Sequence, residues 1–194
     1  MKITGTSGRA ERRSISEGTH IGTVVQVLDL GEQVNIFAEE DNPNKTQRKV
    51  YVTYEVPDEK LDDGRPLVIG QELTASLSPK SRLRPAIESL LGRTLVEADL
   101  ADATQTLKSI LGRSAFIEVE HVTTRKGTTF AKIKNVMKLS RGVNVDSPFN
   151  DLIFLDLDDA NANEIIQGLP NFIQAKIASG VGRIVPNTNE DLDL

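Results

Sequence analysis

At 194 residues, with 38% hydrophobic residues and a formal net charge of −5, the chain is long enough for one domain of ordinary size and an appendage. Because the sequence contains no cysteine, disulfide bonds, zinc–thiolate sites and thiol catalysis are excluded. Residues 1–14 contain no apolar segment like that of a secretory signal, and no apolar run has the length that spans a bilayer. We therefore expect a cytoplasmic protein with no membrane partner.

The first part of the chain favours β-structure. Residues 1–19 contain three arginines and no apolar periodicity, which predicts a flexible basic arm. The β-branched run over 20–30 predicts a strand that could continue beyond a bulge at Gly31. Alternating apolar residues over 49–56 predict a second strand, and a third is expected within 67–77.

The next segment changes to a helical period. Ser78 followed by Pro79 predicts the start of a first helix, which is expected to end at Gly92. Apolar residues at helical spacing predict a second helix over 97–111. The residues expected on its apolar side are Leu100, Ala103, Leu107 and Ile110.

Residues 114–123 and 128–139 have the alternation of a β-hairpin joined by a short loop. An acidic extension follows over 144–183, in which an apolar stretch at 148–157 either adds a strand or wraps the body. The extension is expected to end in a short amphipathic helix. One side of that helix is predicted to carry Phe172, Ile173 and Ile177. Residues 184–194 are predicted to be a disordered acidic tail.

The order of the predicted elements is three strands, two helices and two strands. Strand–strand–strand–helix–strand–strand is the order of the OB-fold, a five-stranded Greek-key barrel. We therefore predict a mainly β protein, elaborated as α+β. It would have an OB-fold-like barrel over 20–143, one or two helices between strands three and four, and a C-terminal helical extension. Another small α+β fold with a five-stranded sheet is the alternative.

Basic and aromatic residues fall on the elements with which OB-folds bind oligonucleotides, and helix one adds more cations. Cations neutralise phosphates and aromatic rings stack on bases, which is what a sequence-tolerant single-strand site requires. The predicted nucleic-acid-binding residues are Lys45, Arg48, Lys49, Tyr51, Lys80, Arg82, Arg84, Arg125, Lys126, Phe130, Lys132, Lys134 and Lys138. Each taken singly is more typical of a solvated face or a packed ring, so the hypothesis depends on their convergence.

The charge is distributed unevenly along the chain. Residues 144–194 hold nine acidic and two basic side chains, whereas residues 1–143 hold nineteen acidic and twenty-one basic ones. A mildly basic body with an acidic C-terminal part is typical of a protein that binds a polyanion and also recruits a basic partner.

Three features together resemble a phage-type single-stranded DNA-binding protein with an OB-fold and an acidic C-terminal tail. They are the element order over 20–139, the segments SLSPKSRLRPAIESLLGR (76–93) and LGRSAFIEVEH (111–121), and the acidic C-terminus. The resemblance implies a sequence-nonspecific protein of a phage replication or recombination module that protects single-stranded DNA in the bacterial host cell. Unlike many bacterial members, this chain lacks tryptophan and ends in Asp-Leu-Asp-Leu.

The resemblance also implies that the tail recruits replication or recombination proteins. The tail residues expected to bind these partners are Glu190, Asp191, Leu192, Asp193 and Leu194. No cofactor or metal is expected. The carboxylates of Asp156, Asp158 and Asp159 could hold a hard cation, but their spacing fits a solvated turn better than a calcium loop.

Two other classes of function are considered. The sequence contains no phosphate-loop, nucleophile-elbow or His-Glu-x-x-His motif, so we expect no enzyme activity. The alternative is a phage structural or adaptor protein that self-associates, as a homo-oligomer, through its β-rich body and C-terminal helix without binding nucleic acid.

Overall fold

The chain forms a six-stranded sheet in the part that the computed structural model describes, residues 14–35 and 45–181. The strands are β1 (Gly18–Val34), β2 (Thr46–Lys60), β3 (Pro66–Thr74), β4 (Ser114–Thr123), β5 (Thr129–Met137) and β6 (Ile153–Leu155). Five of them follow the order β3-β2-β1-β4-β5 with antiparallel pairing, and β6 pairs parallel with β1. The predicted mainly β class is therefore confirmed.

Strand β1 joins the two halves of the sheet. Residues 18–23 pair with β4, and from Thr23 onward the strand pairs with β2. The register shifts between Asp29 and Gly31, where Gly31 has φ 72°. Only glycine adopts this left-handed conformation without a Cβ penalty. The register shift confirms the bulge predicted at Gly31.

Strand β2 is longer than the sequence predicts, because it passes through Pro57 instead of ending there. Its register with β3 shifts between Val56 and Lys60, so the proline lies where regular pairing is interrupted. Because regular pairing is interrupted there, the absence of an N–H group on Pro57 removes no hydrogen bond between the two strands.

The first helix, α1 (Leu83–Leu91), begins four residues later than the predicted start at Pro79. A helix starting at Pro79 would place Pro85 in its interior, where the ring removes a hydrogen bond and clashes with the preceding turn. Starting at Leu83 places Pro85 in the first turn, where no intrahelical N–H partner is needed. The predicted end at Gly92 is confirmed by its left-handed φ of 69°.

The predicted second helix is in fact two short ones, α2 (Glu97–Ala101) and α3 (Ala103–Lys108). The break is at Asp102, whose carboxylate accepts a hydrogen bond from the backbone N–H of Gln105 and so caps α3. Leu100 and Ala103 are consequently exposed, contrary to the predicted apolar side.

The acidic extension packs on the same chain. It contains β6 and two helices, α4 (Ala162–Gly168) and α5 (Asn171–Ala178). The helix α4 was not predicted from the sequence. Ile173 and Ile177 of α5 are buried in a cluster with Leu28 and Leu30 of β1. Phe172 is 61% exposed, so its predicted place beside those isoleucines is wrong. Consecutive helical residues lie about 100° apart, which turns Phe172 away from the cluster.

The sheet therefore has a hydrophobic cluster on each face of β1. One is the main core, which includes Val24 and Val27 of β1 and Ile87 of α1. The other is the cluster under α5. The extension is also held at its start, where the buried carboxylate of Glu55 accepts the backbone N–H groups of Phe149 and Asn150 at 2.9 and 2.8 Å.

The described part of the predicted flexible arm is docked rather than free. Ile15 is buried in the main core, and its carbonyl oxygen lies 2.7 Å from Nε2 of His121. The backbone N–H of His121 donates to the Glu17 carboxylate at 2.7 Å. The prediction of a flexible arm is therefore wrong for residues 14–19, because a buried isoleucine anchors them; residues 1–13 lie outside the described residues. Among the described helices, none combines the length and the apolar character required to cross a membrane.

Candidate nucleic-acid interface

A polar cleft of about 440 Å³ lies where β2 and β3 meet the segment that leads to α1. Three of the predicted cations, Lys49, Lys80 and Arg82, line it. We refer to it as the cation cleft. Side-chain hydroxyls from the intervening segment also line it, and they belong to Ser76, Ser78 and Ser81. Ammonium, guanidinium and hydroxyl groups are all hydrogen-bond donors, so the cleft suits an anion.

Local hydrogen bonds shape the segment that carries these donors. The hydroxyl oxygens of Ser76 and Ser81 accept the backbone N–H groups of Ser78 and Leu83 at 3.3 and 3.1 Å. The backbone N–H of Ser81 donates to the Ser78 carbonyl at 3.0 Å. These hydrogen bonds form turns within residues 76–83.

Lys49 reaches the cleft because alternate residues of β2 face outward. Its Nζ donates to Oε1 of Gln47 and to Oγ1 of Thr74, both at 2.9 Å. Both partners are neutral, so the ammonium charge is not compensated by either. The nearby carboxylate of Glu72, which also lines the cleft, is paired with Lys176 of α5 at 2.9 Å.

A smaller groove of about 190 Å³ along β3 and β5 shares Leu73 and Arg82 with the cation cleft. Arg82 lines both cavities, and Lys134 lines the second. A guanidinium nitrogen of Arg82 lies 3.5 Å from the Lys134 carbonyl oxygen. Four predicted cations therefore line these two cavities.

The lysines of β5 are paired with glutamates of β4. Nζ of Lys132 lies 3.6 Å from the Glu120 carboxylate, and Nζ of Lys134 lies 2.8 Å from that of Glu118. The hydrogen bond with Glu118 raises the pKa of Lys134, and the same bond lowers the pKa of Glu118. Exposed pairs of this kind are weak because solvent screens them, so a phosphate could replace the glutamate. Phe130, on the same strand, is 45% exposed.

Arg48 is paired with carboxylates of the protein itself, although 44% of its side chain remains exposed. Its guanidinium makes a bidentate pair with the buried Asp29, and it also lies 3.2 Å from Asp158 and 3.9 Å from Asp156. The hydrogen bond with Asp29 is the main cause that raises the pKa of Arg48 above its usual value. Arg48 thus fastens the extension to β1 and β2. Within residues 14–35 and 45–181, no group of His, Asp and Glu side chains is arranged to hold a metal ion.

Two further predicted residues make contacts with α1 and its ends. Nζ of Lys138 donates to the Gly92 carbonyl oxygen at 2.7 Å, at the negative end of the helix. Arg84 donates to the Glu88 carboxylate at 3.1 Å and to the Leu77 carbonyl oxygen at 3.3 Å.

The predicted loop residues are not brought together. Arg125 and Lys126 are exposed in the turn after β4, near the start of β1, whereas Lys45 lies beyond the end of β1 and just before β2. Most of the loop between β1 and β2, residues 36–44, lies outside the described residues, as does the tail at 190–194.

An aromatic pair lies beside the cation cleft on the outer face of β2 and β3. Tyr51 packs over Gly70, where a Cβ atom would lie 2.3 Å from the tyrosine ring. The rings of Tyr51 and Phe172 are 6.0 Å apart at an interplanar angle of 71°. The sequence prediction placed Phe172 on the same side of its helix as Ile173. Adjacent helical residues point about 100° apart, and this spacing was the available signal that Phe172 faces a different direction.

A second, more apolar cavity of about 560 Å³ lies between the end of the sheet and the extension. Leu100, Ala103 and Leu107 line one wall, and Phe154 lines another. This cavity accounts for the exposure of Leu100, since α2 and α3 lie across an open space.

Comparison of the sequence with protein-family models gives no match, and comparison with curated proteins gives none either.

Proposed function

We propose that this chain is a sequence-nonspecific single-stranded DNA-binding protein of a phage replication or recombination module. The observation that carries the proposal is the convergence of Lys49, Lys80 and Arg82 in the cation cleft. Three cations and several hydroxyl donors in one cleft match the charge and the hydrogen-bonding capacity of a nucleic-acid backbone.

The strand order supports an OB-fold as the scaffold. An OB-fold is a partly open five-stranded Greek-key barrel that binds oligonucleotides on the face around strands two and three. Here β1 pairs with both β2 and β4, and the helices fall between β3 and β4. The cation cleft adjoins β2 and β3, the strands that such a fold uses for binding.

The proposed role is protection of single-stranded DNA in the cytoplasm of a bacterial host cell, without catalysis. In this proposal the acidic residues 190–194 recruit replication or recombination proteins. The charge asymmetry of the chain supports this division, since residues 144–194 hold nine acidic and only two basic side chains.

A structural or adaptor role is the second candidate. The observation that favours it is that three large apolar side chains of the extension, Phe149, Leu152 and Phe172, are each at least half exposed. Exposed apolar surface of this kind is typical of protein–protein contacts. This candidate predicts self-association without affinity for oligonucleotides.

Titration with single-stranded and double-stranded oligonucleotides at several salt concentrations tests the proposal. For single strands the slope of log K against log salt is about −0.7 per neutralised phosphate, so three cations predict a slope of about −2. Single strands should bind more tightly than duplexes of the same length. A flat salt response, or no retention of single-stranded DNA at low salt, would contradict the proposal.

A further inference from the structure

We propose that Phe172 of α5 is a base-stacking residue, so that the C-terminal extension completes the single-strand binding surface rather than covering it. This inference rests on the proposed function and adds a residue from outside the five antiparallel strands.

Phe172 is not needed to anchor its helix. Ile173 and Ile177 hold α5 on β1, with 2% and 1% of their surfaces exposed. Phe172 instead leaves 61% of its surface exposed next to Tyr51. An exposed ring on a rigidly anchored helix has one face available to stack on a base.

The ring lies beside the cation cleft. Tyr51 is two residues from Lys49 on the same face of β2, a spacing of about 7 Å along a strand. Tyr51 is also paired in register with Glu72, which lines the cleft. Phe172 contacts Tyr51, so a chain whose phosphates occupy the cleft brings its bases to this aromatic pair.

The charges around the ring suit the same ligand. Lys176 lies one helical turn after Phe172 and pairs with Glu72 at 2.9 Å. That contact neutralises a carboxylate at the edge of the cleft that would otherwise repel phosphate. The burial of Tyr51 against Phe172 and Gly70 fixes the position of the pair.

The test compares the full-length wild type with Phe172→Leu, using oligo-dT and inorganic polyphosphate as probes. Loss of base stacking should weaken oligo-dT binding about fivefold or more, with the salt slope unchanged. Polyphosphate has no bases, so its affinity should not change. Phe149→Leu is the matched control, since Phe149 is 67% exposed but lies beside Glu55 instead of the cleft, and this variant should bind oligo-dT like the wild type.

Tyrosine fluorescence provides a second measurement. The chain has no tryptophan and two tyrosines, and Tyr54 is fully buried in the core. Quenching by oligo-dT therefore reports on Tyr51. We expect quenching by oligo-dT and none by polyphosphate, and we expect Tyr51→Phe to abolish the quenching.

The possible results separate the two proposals. If the folded Phe172→Leu variant binds oligo-dT like the wild type, the stacking role is wrong while the proposed function stands. If the wild type binds no single strand at low salt, the proposed function itself fails. If the wild type is a dimer that Phe172→Leu converts to a monomer with no change in oligonucleotide affinity, this face is a contact between copies of the chain and the inference is overturned.

Discussion

Arg48 on β2 donates a hydrogen bond to Asp158 of the extension at 3.2 Å, across 110 residues of sequence. The same guanidinium makes a bidentate pair with Asp29, which is buried. One arginine therefore joins β1, β2 and the extension. The residue is adjacent in sequence to Lys49 of the cation cleft, yet the two side chains have different roles.

Replacing Arg48 should therefore affect stability more than binding. Removing one partner of a buried ion pair costs about 3–5 kcal/mol, and solvent screening of the 44% exposed Arg48 side chain reduces this to about 1–2 kcal/mol. Urea unfolding of Arg48→Met measures the loss, with Lys45→Met as the control for charge. An unchanged unfolding midpoint together with weaker oligonucleotide binding would show that Arg48 contacts the ligand.

Removing the cations of the cleft should reduce both the affinity for single strands and its dependence on salt. The variant Lys49→Met, Lys80→Met, Arg82→Met removes three charges, so the slope of log K against log salt should become shallower by about 2. Fluorescence titration at several salt concentrations measures the slope. Lys60→Met, at the exposed end of β2, is the control and should leave the slope near that of the wild type.

Truncating Ile177 should destabilise the protein, because it is 1% exposed in the cluster between α5 and β1. Isoleucine-to-alanine changes in a core typically cost about 2–5 kcal/mol. Phe172→Ala on the same helix should cost less than about 1 kcal/mol, since that ring is mostly exposed. Equilibrium unfolding in urea compares the two variants. Equal losses would mean that Phe172 anchors the extension as strongly as Ile177.

The carboxylate of Asp99 should make stability depend on pH in the acidic range. Its hydrogen bond with Arg93 is the main cause that lowers the pKa of Asp99 from 3.8 to about 2, and the N–H of Val96 contributes further. A carboxylate whose pKa is lower in the folded state stabilises the fold at pH values above its unfolded-state pKa. This stabilisation is lost as the pH falls through the folded-state pKa. The difference in melting temperature between wild type and Asp99→Asn should be constant above pH about 5 and shrink between pH 4 and 2. A difference that does not vary with pH would rule out this ionic contribution.

Deleting residues 186–194 removes three carboxylates, those of Glu190, Asp191 and Asp193. If these acids compete with DNA for the cation cleft, the truncated protein should bind oligonucleotides more tightly at low salt, where screening is weak. The control keeps the length and replaces the three acids with their amides, and it should behave like the truncation. Unchanged or weaker binding of both variants would exclude competition by the tail.

The sequence predicted much of the sheet, because strand alternation is a local property. The pattern over 49–56 correctly placed Val52 inward and Tyr51 outward, and residues 114–123 were predicted with the observed bounds. The helices were less well predicted. The start of α1 depended on Pro85, and the break between α2 and α3 depended on the cap made by Asp102.

The roles of the charged residues depended on contacts between distant parts of the chain. Nothing in the sequence around Arg48 distinguishes it from Lys49, but Asp29 and Asp158 bind one of them and leave the other in the cation cleft. Likewise, Glu118 and Glu120 face the lysines of β5 only because β4 pairs with β5 in that register.

By itself, then, the sequence determined which residues alternate across the strands, where Gly31 and Gly92 bend the chain, and how charge divides between body and tail. These features depend on backbone conformation and on neighbours within a few residues. The tertiary structure alone decided that the extension packs on β1, that Arg48 fastens it there, and that Phe172 meets Tyr51 beside the cation cleft. Such contacts join residues that are far apart in sequence, and pairing register and helix packing determine them.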